Sequence, residues 1–155
     1  MYTKILVPLD GSELAECVLP QVETITAGCG VKTVEFVRVA EPVEVYANEF
    51  GPVLTGDQWE QFEDQRISAA EQYLSQLAQQ VSLKGTQIKT TVLTGRVADT
   101  LAEYADKNNF DLIVIATHGR SGISRWVWGS VAERILHSAC VPVLMVRVPG
   151  CPTGT

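Results

Sequence analysis

The sequence predicts an α/β fold: a three-layer sandwich with an open five-stranded parallel sheet in the order 3-2-1-4-5. Three observations predict it. Five short apolar runs alternate along the chain with stretches of helical period, the pattern of a parallel sheet with crossover helices. Two runs, residues 5–9 and 112–116, carry no charge, as strands buried on both faces do. A third run, residues 86–95, sets Lys89 among threonines, which suits a sheet edge. Right-handed crossovers then favour the stated order.

The elements follow in turn. Residues 3–10, TKILVPLD, form strand one, stopped by Pro8 and Asp10. Residues 12–28 place Leu14, Ala15, Val18, Leu19, Val22 and Ile25 on one helical face. Pro20 lies inside that stretch and should kink it or interrupt a turn. TVEFVRVA, 33–40, is strand two. Residues 41–57 have no clear period, and a loop of that length in a compact domain is usually functional or disordered. It is read as a mobile lid or as a disordered insertion. From Trp59 to Val81, apolar residues at 59, 62, 67, 70, 74, 77 and 81 mark a long amphipathic helix. Residues 86–95 are strand three, 96–109 a helix with Val97, Leu101 and Ala105 inward, and 111–117 strand four. Residues 130–139 are a last helix, with Ser130 and Glu133 at capping-box spacing, and 141–148 strand five. One domain, residues 1–148, is expected, with 149–155 as a flexible tail.

Composition narrows the function. Of 155 residues, 46% are apolar and 19% charged, and the net charge is −6. Lys and Arg are scattered, so no nucleic acid partner is expected. No apolar run reaches membrane-spanning length, and no secretory leader is apparent, so a cytoplasmic protein is expected. Its cysteines, Cys17, Cys29, Cys140 and Cys151, form no CxxC pair. They are read as reduced thiols.

In an open α/β sheet, ligands bind beyond the carboxyl ends of the strands, where the strand order reverses. Here that is between strands one and four, where the loop Pro8-Leu9-Asp10-Gly11-Ser12 meets residues 116–130, ATHGRSGISRWVWGS. Gly119 and Gly129 let a phosphate approach the main chain. Gly129-Ser130 opens a helix, whose free N–H groups attract anions. Asp10 can hold a ribose hydroxyl or a phosphate-bridging cation. Each residue also has a plainer reading. Ser130 caps a helix with or without a ligand, Asp10 fits a turn, His118 can be a satisfied strand-end residue, and Trp126 and Trp128 can be packing anchors. The signal is the constellation.

Other chemistries are absent as motifs. There is no Walker A sequence, no G-x-G-x-x-G after strand one, no G-x-S-x-G elbow and no zinc-ligand spacing. The residues that would mark a phospho-accepting receiver domain are missing, as are the HxGH and SGGxDS signatures of nucleotidyl transfer. No general base or nucleophile is in place, so a dedicated enzyme is not expected.

With these residues in view, the chain resembles the universal stress proteins. The likeness spans KILVPLDGS, VLTGRVADTLAEYA and DLIVIATHGRSGISRWVWGSVAERILHSACVPVLMVR. The nucleotide-binding branch of that family has G-x-x-G, nine residues, then G-S/T. Gly119 and Gly129-Ser130 match, and Ala116 stands where the first glycine falls. The resemblance implies a fold of the adenine nucleotide α-hydrolase-like, Rossmann-like type. It implies ATP, or ADP or AMP, with Mg or Mn, lined by Pro8, Asp10, Ser12, Val39, Ile115, Ala116, Gly119, Gly129, Ser130 and Val131. Val39 would meet adenine through its main chain, and Asp10 would sit near the metal, where slow ATP hydrolysis is conceivable. Arg38 stands where the family often has His. The resemblance also implies a homodimer through residues 141–148 and a stress-regulatory role with a protein partner not named by the sequence. The competing expectation is a dimeric interaction module of the same fold that binds no nucleotide. Ala116 favours it, and Gly129-Ser130 speaks against it.

Overall fold

The structure is a computed structural model that describes residues 1–42, 56–117 and 130–147. In chain order the elements are β1 (Lys4–Pro8), α1 (Glu13–Glu16), α2 (Leu19–Cys29), β2 (Thr33–Ala40) and α3 (Gly56–Gln80). There follow β3 (Gln87–Thr94), α4 (Val97–Lys107), β4 (Leu112–Thr117), α5 (Ser130–Ser138) and β5 (Val143–Arg147). The strands form one sheet in the order β3-β2-β1-β4-β5, and every pairing is parallel.

Period-two alternation divides the core between two faces. Ile5, Val7, Leu9, Phe36 and Val114 face α2 and α3, where Val18, Val22, Leu74 and Leu77 meet them. Leu6, Val37, Ile113 and Ile115 face the other way, against Ala98, Leu101 and Ala105 of α4 and Ala132 and Ile135 of α5. Glu35 is the charged residue within this interior, 4% exposed. The Thr91 and Tyr104 hydroxyls both donate to its Oε1, each at 2.6 Å. That satisfies a carboxylate whose burial would otherwise be costly.

Three local expectations are refined. The stretch 12–28 is two helices, and α2 begins just before Pro20, which sits in its first turn where no intrahelical N–H is needed. Gly30, at φ 65°, ends α2 in the left-handed conformation. The long helix α3 buries Ala70, Leu74 and Leu77, whereas Phe62 is 44% exposed and meets Trp59 edge to face at 6.4 Å. Length explains this. A helix of 25 residues spans about 37 Å, and eight-residue strands span about 26 Å, so the first turns overhang the sheet's carboxyl edge. Gly56 and Asp57, placed in the loop by sequence, belong to α3; the rest of that loop from residue 43 lies outside the described residues, as does the tail from residue 148.

One expectation is overturned. Cys17 is disulfide-bonded, whereas Cys29 and Cys140 are free. The sequence argument relied on neighbouring cysteines and on chain size. A disulfide needs only two Cβ atoms about 4 Å apart, wherever they lie along the chain. Among the described residues no helix is long and apolar enough to cross a membrane.

Candidate functional site

A cavity of about 310 Å³ opens at the carboxyl ends of β1, β2 and β4, where the strand order reverses. Pro8, Leu9, Asp10 and Ser12 approach from the end of β1, with Leu14 and Ala15 of α1 behind them. Val37 and Val39 come from β2, and Ile115 and Ala116 from β4. Val97 and Leu101 of α4 and Val131 and Ala132 of α5 close the far side. The walls are thus mainly apolar, and the polar groups gather on the Asp10–Ser12 rim. A volume at the lower end of small-molecule sites, with a few placed polar groups, suits a flat heterocycle.

The rim is ordered by its own chemistry. Asp10 Oδ1 accepts from the Ser12 amide at 2.8 Å and the Ser12 hydroxyl at 2.6 Å, an Asx-type turn. The Ser12 oxygen in turn accepts from the Ala15 amide at 3.2 Å and caps α1. The plain turn reading of Asp10 and its place on the cavity are therefore both realised.

Among the expected residues, Pro8, Asp10, Ser12, Val39, Ile115, Ala116 and Val131 come together on the cavity. Ser130 begins α5, but its side chain lies outside the described residues, as do Gly119, Gly129, His118, Trp126 and Trp128. Sequence reasoning missed Leu14, Ala15, Val37, Val97, Leu101 and Ala132. A signal existed for some. Val37 shares a strand face with Val39 by alternation, and Val97 and Leu101 were read as inward core residues. They are inward, but they border a space as well as a core.

As a metal centre the site is sparse. Among the described residues no group of three His, Cys, Asp or Glu side chains is placed to hold an ion. Asp10 by itself fits an ion carried in with phosphates, since Mg²⁺ keeps most of its waters and accepts one or two carboxylates.

Comparison with known proteins agrees with this architecture. The family model described as "Universal stress protein family" matches residues 1–147. Universal stress protein MJ0531 of Methanocaldococcus jannaschii is 30% identical over 96% of this chain and 84% of its own length. Among solved structures, MJ0577 of the same organism aligns with a TM-score of 0.77 at 23% identity, covering 97% of this chain and 99% of that one. A universal stress protein in complex with cAMP aligns at TM-score 0.64 and 24% identity, covering 94% of this chain and 97% of that one. An Arabidopsis thaliana family protein with AMP bound aligns at 0.67 and 14% identity, covering 99% and 96%. The sheet order, the switch-point cavity and a family match across almost the whole chain converge: this protein belongs to the universal stress protein family.

Proposed function

We propose that this chain is a cytoplasmic, dimeric regulator that binds an adenine nucleotide in the switch-point cavity. The observation that carries the reading is the cavity itself: apolar walls from Val37, Val39, Leu14 and Leu101, with the Asp10–Ser12 turn on its rim. A purine fits between such walls, and the Val39 main chain near the end of β2 can read its edge. The Asp10 carboxylate can accept from a ribose hydroxyl. The phosphates would run toward the start of α5, whose first N–H groups have no intrahelical partners. A nucleotide would bring Mg or Mn with it rather than find one waiting. The AMP and cAMP complexes of similar folds support the choice of adenine. ATP is the form that Gly119 and Gly129-Ser130 suit, with Ala116 standing where the first glycine of the pattern falls. β5 is an edge strand of the sheet, opposite β3, with Leu144 38% exposed, and pairing two copies there would cover an apolar edge.

The test starts from the purified protein. It is denatured, and any released nucleotide is identified. Titration calorimetry with ATP, ADP and AMP, with and without magnesium, then compares wild type with Val39→Trp. A larger ring in the cavity should weaken binding at least about a hundredfold, or about 2.7 kcal/mol. Sedimentation of the same samples should give the dimer mass. No released nucleotide and no measurable affinity would sink the nucleotide reading, and a monomer at all concentrations would remove the β5 pairing.

A further inference from the structure

Arg38 lies on β2 between Val37 and Val39, which both line the cavity. By strand alternation its own side chain faces the opposite side of the sheet, toward α3. There it lies over the Tyr73 ring, 5.3 Å from the centroid. Its Nη1 is 3.2 Å from where a Cβ on Gly11 would stand. Gly11 has φ 89°, a conformation that costs glycine little and other residues much. Any side chain there would also push the guanidinium away. Gly11 and Arg38 therefore fit each other: the turn leaves room on one side, and the arginine fills it.

The contact continues outward. The Tyr73 hydroxyl donates to Glu16 Oε1 of α1 at 2.8 Å. Burial, that hydrogen bond, and the negative charges of Glu16 and Asp10 push the Tyr73 phenol well above the usual tyrosine range, while Arg38 opposes them. Among the described residues Arg38 makes no ion pair or hydrogen bond. It acts through shape, through its stacked plane, and through a charge that opposes those of Glu16 and Asp10 at Tyr73. Two turns toward the amino end of α3, Arg66 Nη2 donates to the Glu41 carbonyl at 2.7 Å, so α3 also holds the chain just past the end of β2.

We propose that Arg38 is a positioning residue of the cavity: its guanidinium props the Asp10–Gly11–Ser12 turn from behind and, stacked on Tyr73, fastens that turn to α3. The effect on ligand affinity rests on the nucleotide reading above, whereas the effect on the turn does not. Arginine suits the place because a flat guanidinium stacks on one face and presses on Gly11 with its edge. Lysine keeps the charge without the plane.

Two measurements on wild type, Arg38→Met and Arg38→Lys test this. The first is amide hydrogen exchange of the ligand-free protein. Arg38→Met should speed exchange at residues 11–16 about tenfold, the size of one partly buried cation–π contact. The amides of Lys4 and Asp111, at the other end of the sheet, should not change, and Arg38→Lys should recover part of the loss. The second is affinity for adenosine and for ATP. Both should fall by the same factor in Arg38→Met, because the turn rather than a phosphate contact is disturbed. Unchanged exchange at 11–16 overturns the proposal. So does a loss confined to ATP, which would make Arg38 a phosphate contact. If wild type binds neither ligand, the nucleotide reading fails, and the exchange result alone decides for or against Arg38.

Discussion

The two ends of the sheet are built differently. At the amino end, Asp111 Oδ2 accepts from the Thr3 amide, the Thr3 hydroxyl and the Lys4 amide at 2.7, 2.6 and 2.8 Å. Lys4 Nζ reaches the Asn108 carbonyl at 3.0 Å and lies 4.0 Å above the Phe110 ring. Phe110 is 5% exposed and tilts against Tyr104. At the carboxyl end there is a cavity, a four-residue helix and a glycine held at positive φ. The difference teaches where each end spends its side chains. The amino end satisfies its own groups by joining residues far apart in the chain and is closed. After β1 the chain goes on to α2 on one face of the sheet, whereas α5, the described helix that follows β4 in the chain, packs on the other, and in open α/β sheets ligands bind where the strand order reverses in this way.

The largest test of that contrast is Phe110→Ala. It removes a buried ring from the closed end and should cost about 3–5 kcal/mol, read as a lower urea midpoint. Adenine-nucleotide affinity of the folded fraction should stay as in wild type. A matching loss of affinity would mean that the two ends are not independent.

Asp111→Asn should be next, at about 1–2 kcal/mol near neutral pH, because this partly exposed carboxylate accepts three hydrogen bonds. The sign with pH is defined. The Thr3 hydroxyl first, then the Thr3 and Lys4 amides, hold the Asp111 carboxyl below its ordinary value. Its contribution is therefore present above the unfolded pKa of about 3.9 and is lost as pH falls through the lower folded value. Urea midpoints of wild type and variant should converge on acidification below about pH 4. A gap that stays constant to pH 2 would show that the charge is not what matters.

Ser12→Ala should have the smallest effect on stability, about 1 kcal/mol or less, since it uncaps a helix of only four residues. It also frees Asp10 Oδ1 from its hydroxyl partner. Affinity should fall more than stability does, the reverse of Phe110→Ala. Equal losses in the two measurements would erase the distinction between a stability end and a ligand end.

Much of this molecule was legible from sequence alone. The strand and helix alternation, the strand order and the limits of β2 at Thr33 and Ala40 follow from local periods of two and 3.6 and from which runs lack charge. The rim residues Asp10 and Ser12 were legible as well, because turn chemistry is local. The tertiary structure decided the rest. It set Leu14, Val37 and Leu101 beside a space, where sequence could say only that they were apolar and inward. It left Phe62 exposed because α3 outruns the sheet, a comparison of two lengths that neither segment contains. It joined Cys17 in a disulfide and laid Arg38 between Gly11 and Tyr73. Each of these depends on a distance between residues far apart in the chain, which no local period encodes and only the closing of the sheet and its helices fixes.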